Sequence, residues 1–222
     1  MPSMPKPILL RPGITIYFLR HGETDWNAVQ RYQGQTDVPL NDKGRGQAAR
    51  NGAALGKFLG DNGRTIDFVS SPLARASETM RIARREMGLA PEGFRTDARL
   101  QEQSYGHWEG HIWGELPTID PEGFAAREKD KWNWQPKDGE SYAMLSERIA
   151  GWLGSVEADC VVASHGAVSR VLRGLVVTMD VRQLVELTVP QDKVMIVRPG
   201  FIDWLCGSRF ADAAIRQMVA PP

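Results

Sequence analysis

Ile14-Thr15-Ile16-Tyr17-Phe18-Leu19-Arg20-His21-Gly22 runs from an apolar, β-branched segment straight into a cation, an imidazole and a glycine. The first six residues read as a buried strand. The last three therefore emerge together at its carboxyl end, the edge of an open α/β sheet at which ligands bind. Cys160-Val161-Val162-Ala163 leads in the same way into Ser164-His165-Gly166. Two strand-end histidines, each preceded by a polar residue and followed by glycine, are hard to explain as packing.

Outward from these two segments, strand and helix patterns alternate, which argues a mainly parallel sheet with helices on both faces. Asp25 to Pro39 is polar. Asn41 then reads as the N-cap of a helix through about Leu59, with Ala48, Leu55, Phe58 and Leu59 on one face. Ile66 to Ser70 is a short strand, and Ser71-Pro72 reads as the cap and first residue of the next helix. In that helix Leu73, Ala76, Met80, Ala83 and Met87 recur at helical spacing, and Gly88 ends the run. Arg75 lies off this stripe, free to point toward the strand end. Phe94 to Leu100 is a further strand candidate leading into Gln101-Glu102. Residues 106–139, rich in Trp, Gly and Pro, hold one helix begun by Asp120-Pro121 and form a candidate lid or substrate-specificity insertion. A helix from about Glu140 to Val156 and one from Gly166 to Val177 flank the Cys160 strand. Val194 to Val197 and Ile202 to Leu205, split by Pro199-Gly200, read as a closing hairpin.

With 222 residues, the chain fits one α/β domain, with residues 1–13 as a lead-in and 211–222 as a weakly determined tail. It carries 27 basic and 27 acidic residues, so no global field favours nucleic acid or an acidic membrane. Any affinity for anions must come from a local cluster. Cys160 and Cys206 are too few for a disulfide framework or a zinc site, and the proline-broken N-terminal patch is neither a signal segment nor a membrane span. The cytoplasm is the expected location.

Four segments should meet at one crevice: Arg20-His21, Arg75, Glu102 and His165. Their groups suit phosphoryl transfer through a histidine. Planar guanidinium groups match the charged oxygens of a phosphoryl group, so Arg20 and Arg75 form the expected clamp. The amides that open the helix at Gly166 add partial positive charge, and His165, if protonated, another donor. His21 is the expected nucleophile, because Arg20 favours its neutral form and a backbone carbonyl can fix its tautomer. The departing alkoxide needs a proton, for which Glu102 is the candidate donor and later the base for water. No metal and no cofactor are required, since the arginines and histidines supply the positive charge.

With these residues placed, the chain resembles the histidine phosphatase superfamily, in its phosphoglycerate mutase-like branch. The blocks that carry the likeness are LRHGETDWN (19–27), PLNDKGRGQA (39–48), SPLARASET (71–79), RLQEQSYGHWEG (99–110), DGES (138–141) and SHGAVSR (164–170). The resemblance implies a three-layer α/β/α sandwich, mainly parallel with one antiparallel strand, and no metal. It implies that His21 is phosphorylated, that Arg20, Arg75 and His165 bind the phosphoryl group, and that Glu102 donates the proton. It also implies that Asn27 and the Gln33-Gly34 turn help to hold the phosphate. True mutases in this family carry an arginine where Gln103 stands. They also carry a lysine beyond the WEG-like block, and an arginine pair near the position of Trp132-Asn133-Trp134. On that ground the segment is cation-poor and favours hydrolysis of a phosphomonoester. A phosphoglycerate mutase and a non-catalytic phosphoryl-binding module remain the alternatives.

Several residues have competing readings. Glu109 is a rival acid. His107 and His111 superficially resemble a zinc pair, although Gly106 and Gly110 oppose a helix there. Trp132 and Trp134 either cap the core or line the pocket. The expected partner is a small phosphorylated molecule of open identity. The oligomeric state is open as well, with a homodimer as one option.

Overall fold

The computed structural model describes residues 10–206. The first nine residues of the expected lead-in and the whole of the 211–222 tail lie outside that range. In chain order the elements are β1 (Ile16–Arg20), α1 (Asp25–Ala28), α2 (Asp42–Leu59), β2 (Asp67–Ser70), α3 (Ala74–Glu86) and β3 (Arg95–Thr96). Then come α4 (Leu116–Ile119), α5 (Pro121–Lys129), α6 (Tyr142–Gly154), β4 (Cys160–Ser164) and α7 (Gly166–Val176). The last are α8 (Val181–Leu184), β5 (Lys193–Arg198) and β6 (Phe201–Cys206).

The strands form one sheet in the order β3-β2-β4-β1-β5-β6. β1 and β4, β2 and β4, and β2 and β3 pair in parallel, while β5 runs antiparallel to both β1 and β6. β5 is thus the single reversed strand that the resemblance implied. Strand residues alternate between two cores, as a period of two requires. Ile16, Phe18 and Val162 join Leu145, Ile149, Leu172 and Leu175 of α6 and α7 on one face. Tyr17, Leu19, Val161 and Ala163 join Leu55 of α2 and Met80 and Ala83 of α3 on the other. Two apolar faces covered by helices make the three layers.

Helix starts largely follow the sequence signals. The Asn41 side chain accepts from Gly44 N at 2.9 Å, Ser141 from Met144 N and Asp120 from Gly123 N. Other expectations are corrected. Ser71-Pro72 does not open α3, which begins at Ala74, where the free Ala74 N–H is met by Asp37 Oδ1 at 2.9 Å. A cap supplied from a distant loop leaves no local signal. The strand expected over Phe94 to Leu100 shrinks to Arg95–Thr96, because Asp97 caps a one-turn 3-10 helix at Ala98–Leu100 that ends the pairing. Phe58 is 42% exposed and off the buried face of α2, where it meets the edge of Tyr17. The polar stretch after β1 contains α1, opened by a reciprocal Thr24–Asn27 capping box.

The two helices of one layer approach closely. A Cβ at Gly52 of α2 would lie 2.5 Å from Ala83 Cα in α3. Helix propensity alone favours Gly52→Ala by about 1 kcal/mol. The close approach reverses that sign, so Gly52→Ala should lose about 1–3 kcal/mol in urea unfolding. A stabilised variant would show that the helices do not cross at this distance.

Candidate active site

The site is assembled by the two central parallel strands and their neighbour. The β1–β4 ladder continues one residue past the strands, as His21 N donates to Ser164 O at 2.8 Å. On the other side of β4, Ser71 N donates to Ala163 O at 2.9 Å. Because β4 lies between β1 and β2, His165 stands between His21 and Ser71. The His21 and His165 rings are 5.2 Å apart between centroids. His165 Nε2 lies 2.8 Å from Ser71 Oγ.

His21 is 2% exposed, and its Nδ1 lies 2.7 Å from the Gly22 carbonyl oxygen. A carbonyl only accepts, so Nδ1 carries the proton and Nε2 keeps its lone pair. Burial, then Arg75 and Arg20, hold the His21 imidazole well below its ordinary pKa. The same causes, burial first and Arg75 next, act on the fully buried His165. These causes favour the neutral imidazole, against the protonated His165 that the sequence allowed. Ser71 Oγ also accepts from Leu73 N at 3.3 Å. In the tautomer in which the Ser71 hydroxyl donates to His165 Nε2, the His165 proton sits on Nδ1, a buried atom without a protein partner.

Arg20 and Arg75 are held by backbone oxygens. Arg20 donates to Val189 O at 2.5 Å, and Arg75 to Gly34 O at 2.6 Å and Thr36 O at 2.8 Å. Burial is the main cause that brings the Arg20 guanidinium down to about 10. Both side chains keep a buried Nε without a partner. Together with His165 Nδ1 these are three buried donors around His21, a kind of group that proteins rarely leave unsatisfied.

Glu102 is placed differently from the sequence reading. Its carboxylate accepts from Gly166 N at 3.0 Å and from Ala167 N at 3.1 Å. The amides at the start of α7, expected to face a phosphate, are thus occupied by Glu102. Arg148 donates to the carbonyls of Arg99, Gln101 and Glu102 and is paired with Glu140 at 2.7 Å, which anchors the loop carrying Glu102. Asn27 lines the cavity, and its Oδ1 is taken by Thr24 N and Gln191 Nε2, so its NH2 is the part left for a ligand. Gln33 and Gly34 also line it. Gly34 has φ +51°, and a Cβ there would lie 2.0 Å from Glu109 Oε1.

Glu109 is not a rival acid. Its carboxylate accepts from Gln35 N, Thr36 N, Thr36 Oγ1 and Tyr105 N, all within 3.0 Å, and so clamps the turn that holds Arg75. His107 and His111 do not converge: the first lies against Asp120, the second against Glu115. Among the described residues no cluster of His, Cys, Asp or Glu is arranged to hold a metal.

A cavity of about 690 Å³ opens above these groups. Trp132 and Trp134 do not line it. Trp132 belongs to the core, and Trp134 packs at a tilt against the buried Trp108, with ring centroids 4.1 Å apart. Residues 106–139 contribute Trp113, Arg127 and Glu128, and, with Lys131, a basic wall. Arg31 and Arg170 line the cavity too. The expectation of a cation-poor segment is corrected by these side chains. Gln103, which stands where true mutases carry an arginine, donates to Glu140 O. Sequence reasoning missed Ser71, Arg148, Gln191 and this basic wall. The i, i+4 spacing of Arg127 and Lys131 was the one available signal.

A family model described as histidine phosphatase superfamily (branch 1) matches residues 16–205. Among curated proteins, the chain is 35% identical over 163 residues to phosphoglycerate mutase-like protein 4 of Arabidopsis thaliana, covering 71% of this chain and 68% of that one. It is 31% identical over 179 residues to glucosyl-3-phosphoglycerate phosphatase of Mycobacterium tuberculosis, covering 75% and 76%. A solved structure of an alpha-ribazole-5'-P phosphatase, described as putative, from Escherichia coli superposes with TM-score 0.72 at 23% identity. That match covers 87% of this chain and 95% of the other, and supports the fold.

Two buried neutral imidazoles make stability depend on pH. Their folded pKa values are depressed, so below about pH 6.5 the unfolded chain binds more protons than the folded one. Stability should therefore fall as pH drops from about 6.5 toward 5, by up to about 1.4 kcal/mol per unit for each histidine. Urea titrations of His165→Gln should show a shallower slope, and an unchanged slope would mean that His165 is not buried as a neutral ring.

Proposed function

The chain belongs to the histidine phosphatase superfamily, and from that membership we propose that it is a phosphoric monoester hydrolase working through a phosphohistidine. The curated glucosyl-3-phosphoglycerate phosphatase relative supports hydrolysis. One observation carries the mechanism: His21 Nε2 holds a free lone pair among three buried donors without partners.

The phosphoryl oxygens are received by Arg20 Nε, Arg75 Nε and His165 Nδ1, with Asn27 and the Gln33-Gly34 turn beside them. These donors are fixed before the substrate arrives, so they stabilise the developing charge without reorganisation. His21 Nε2 attacks phosphorus; the N–P bond forms as the bond to the ester oxygen breaks. The charge that accumulates on His21 is stabilised by its Nδ1–H on Gly22 O. The leaving oxygen takes a proton from Glu102. To carry that proton Glu102 must release an amide of Gly166 or Ala167, an exchange favoured by the incoming phosphate dianion. Water then attacks the phosphohistidine and gives a proton back to Glu102; the N–P bond breaks, and neutral His21 and inorganic phosphate are restored. The guanidinium groups do the electrostatic work, so a metal ion is not needed. Residues 106–139 act as the substrate-facing wall of a single domain. Two unpaired cysteines suit the reducing cytoplasm, and among the described residues no helix is long and apolar enough to cross a membrane.

A second reading, phosphoryl transfer between two hydroxyls of a phosphoglycerate, is favoured by Arg127 and Lys131, which offer a second acidic group a site. Fast mutase turnover primed with bisphosphoglycerate would place it first.

Protein in excess chelator should hydrolyse an aryl phosphate, and His21→Ala should lose at least about a thousandfold in kcat, as expected for removal of a covalent nucleophile. Undiminished turnover in the folded variant would remove His21 from the role. Glu102→Gln should slow alkyl phosphates by about 100-fold or more and good aryl leaving groups far less, because only a poor leaving group needs the proton. Equal losses would point to another acid.

A further inference from the structure

We propose that Arg148 is a positioning residue for the acid. Through its pair with Glu140 it holds the Glu102 backbone at the reach from which the carboxyl delivers a proton to the leaving oxygen. This role rests on the phosphatase reading and on Glu102 as its proton donor.

The chain leaves its 3-10 turn at Leu100 and runs through residues 101–105 with no helix or strand. Backbone carbonyls in such a stretch have no ladder to join and must find partners elsewhere. Arg148, on α6, supplies most of them. Its Nη1 donates to Arg99 O at 2.6 Å and Gln101 O at 2.9 Å. Nη2 donates to Glu102 O at 3.4 Å and Glu140 Oε2 at 2.7 Å, and Nε to Glu140 Oε1 at 3.0 Å. The full donor set of a guanidinium is thereby used. Ser164 Oγ donates to the carbonyl between, Leu100 O, at 2.7 Å.

The chain after Glu102 returns to the same pair. Gln103 Nε2 donates to Glu140 O at 2.7 Å, and Glu140 N donates to Ser104 O at 2.8 Å. Glu102 is therefore bracketed by two anchors that meet at one bidentate ion pair, a geometry that fixes orientation as well as distance. Neither Arg148 nor Glu140 lines the cavity, so neither reaches the substrate. The hold matters when the acid works. At rest the carboxylate is placed by Gly166 N and Ala167 N. To carry a proton it gives up one of those amides and part of that placement. Its backbone stays fixed, by Arg148 and by Gln35 Nε2 on Glu102 O at 3.1 Å. A displacement of about 1 Å in a reacting group can cost about a hundredfold in rate. A clamp that served stability alone would, when broken, slow every reaction alike. A clamp that positions the acid slows only those reactions that need its proton.

The test measures kcat on a nitrophenyl phosphate and on a primary alkyl phosphate, with a urea midpoint for each protein. The variants are Arg148→Lys, Glu140→Gln, Glu102→Gln, and Arg148→Lys combined with Glu102→Gln. Lysine keeps the charge but cannot form the planar fork. Arg148→Lys should lose at least about tenfold on the alkyl ester and no more than about threefold on the aryl ester. Glu140→Gln keeps the arginine and should show the same bias, which serves if the lysine variant does not fold. Added to Glu102→Gln, Arg148→Lys should slow the alkyl reaction by less than about twofold more, because the acid is already gone. Equal losses on both esters in Arg148→Lys and Glu140→Gln, or losses that multiply in the combined variant, overturn the positioning role while hydrolysis stands. A Glu102→Gln variant with equal losses on both esters removes the acid and the positioning role with it. Absence of turnover by the unaltered protein on either ester overturns the phosphatase reading itself.

Discussion

The parallel pairing of β1 with β4 is the constraint on which the site depends. It is carried past the strand ends by His21 N on Ser164 O. That hydrogen bond fixes the His21 backbone beside β4, so the two rings cannot separate without breaking the sheet. Both faces of these strands are buried, and a slip of one residue would turn Leu19 and Ala163 into the wrong core. Register, and with it the geometry of the two imidazoles, is therefore set by hydrophobic burial far larger than any interaction within the site. His21 inherits the rigidity of the core.

The same rigidity explains how so much positive charge is kept indoors. Arg75 is fully buried, yet it rests on two carbonyl oxygens of a turn that is itself clamped by Glu109. Glu102, then Asp37 and Glu109, offset part of the burial cost of the guanidinium from a distance, and Glu109 also holds its carbonyl partners in place. This arrangement keeps the guanidinium from being quenched by a direct salt bridge and leaves its Nε without a protein partner. Gly34 is required at the centre of the arrangement, both for its positive φ and because Glu109 occupies the space of a Cβ. Gly22 serves a related end: a Cβ there would lie 2.2 Å from Gly44 O, so the loop after β1 presses on the start of α2 and not on a ligand.

The alternation of strands and helices, the two strand-end histidines, Arg75 and Glu102 were legible in the chain because each sits at a local boundary. Periodicity ends there and a polar residue begins. What escaped sequence reading is non-local. The start of α3 is capped by Asp37 from another loop, which the Ser71-Pro72 signal masked. Ser71, freed from capping, orients His165 instead. Glu102 took the amides of α7 that local logic reserved for phosphate, since only the tertiary fold brings residue 102 to residue 166. Trp132 and Trp134 drew attention by size, but size favours burial, and the smaller-signal cations between them and β1 reached the cavity.

These cations change what the insertion at 106–139 means. Read as a string, it is tryptophan-rich, and Trp132 and Trp134 read either as caps of the core or as lining of the pocket. In the fold its aromatics are mostly structural: Trp108 is buried, donates to Asp120 and packs against Trp134, and that platform supports the region in which Asp120 caps α5. α5 in turn presents Arg127 over the Trp113 ring at 4.8 Å. The tryptophans hold the wall, and Arg127 and Lys131 line the cavity. His21 and His165 are fixed by strand ends that belong to the sheet. The outer wall of the cavity is built instead by a segment outside the sheet, from which Trp113, Arg127, Glu128 and Lys131 line it, so a change there leaves the sheet intact.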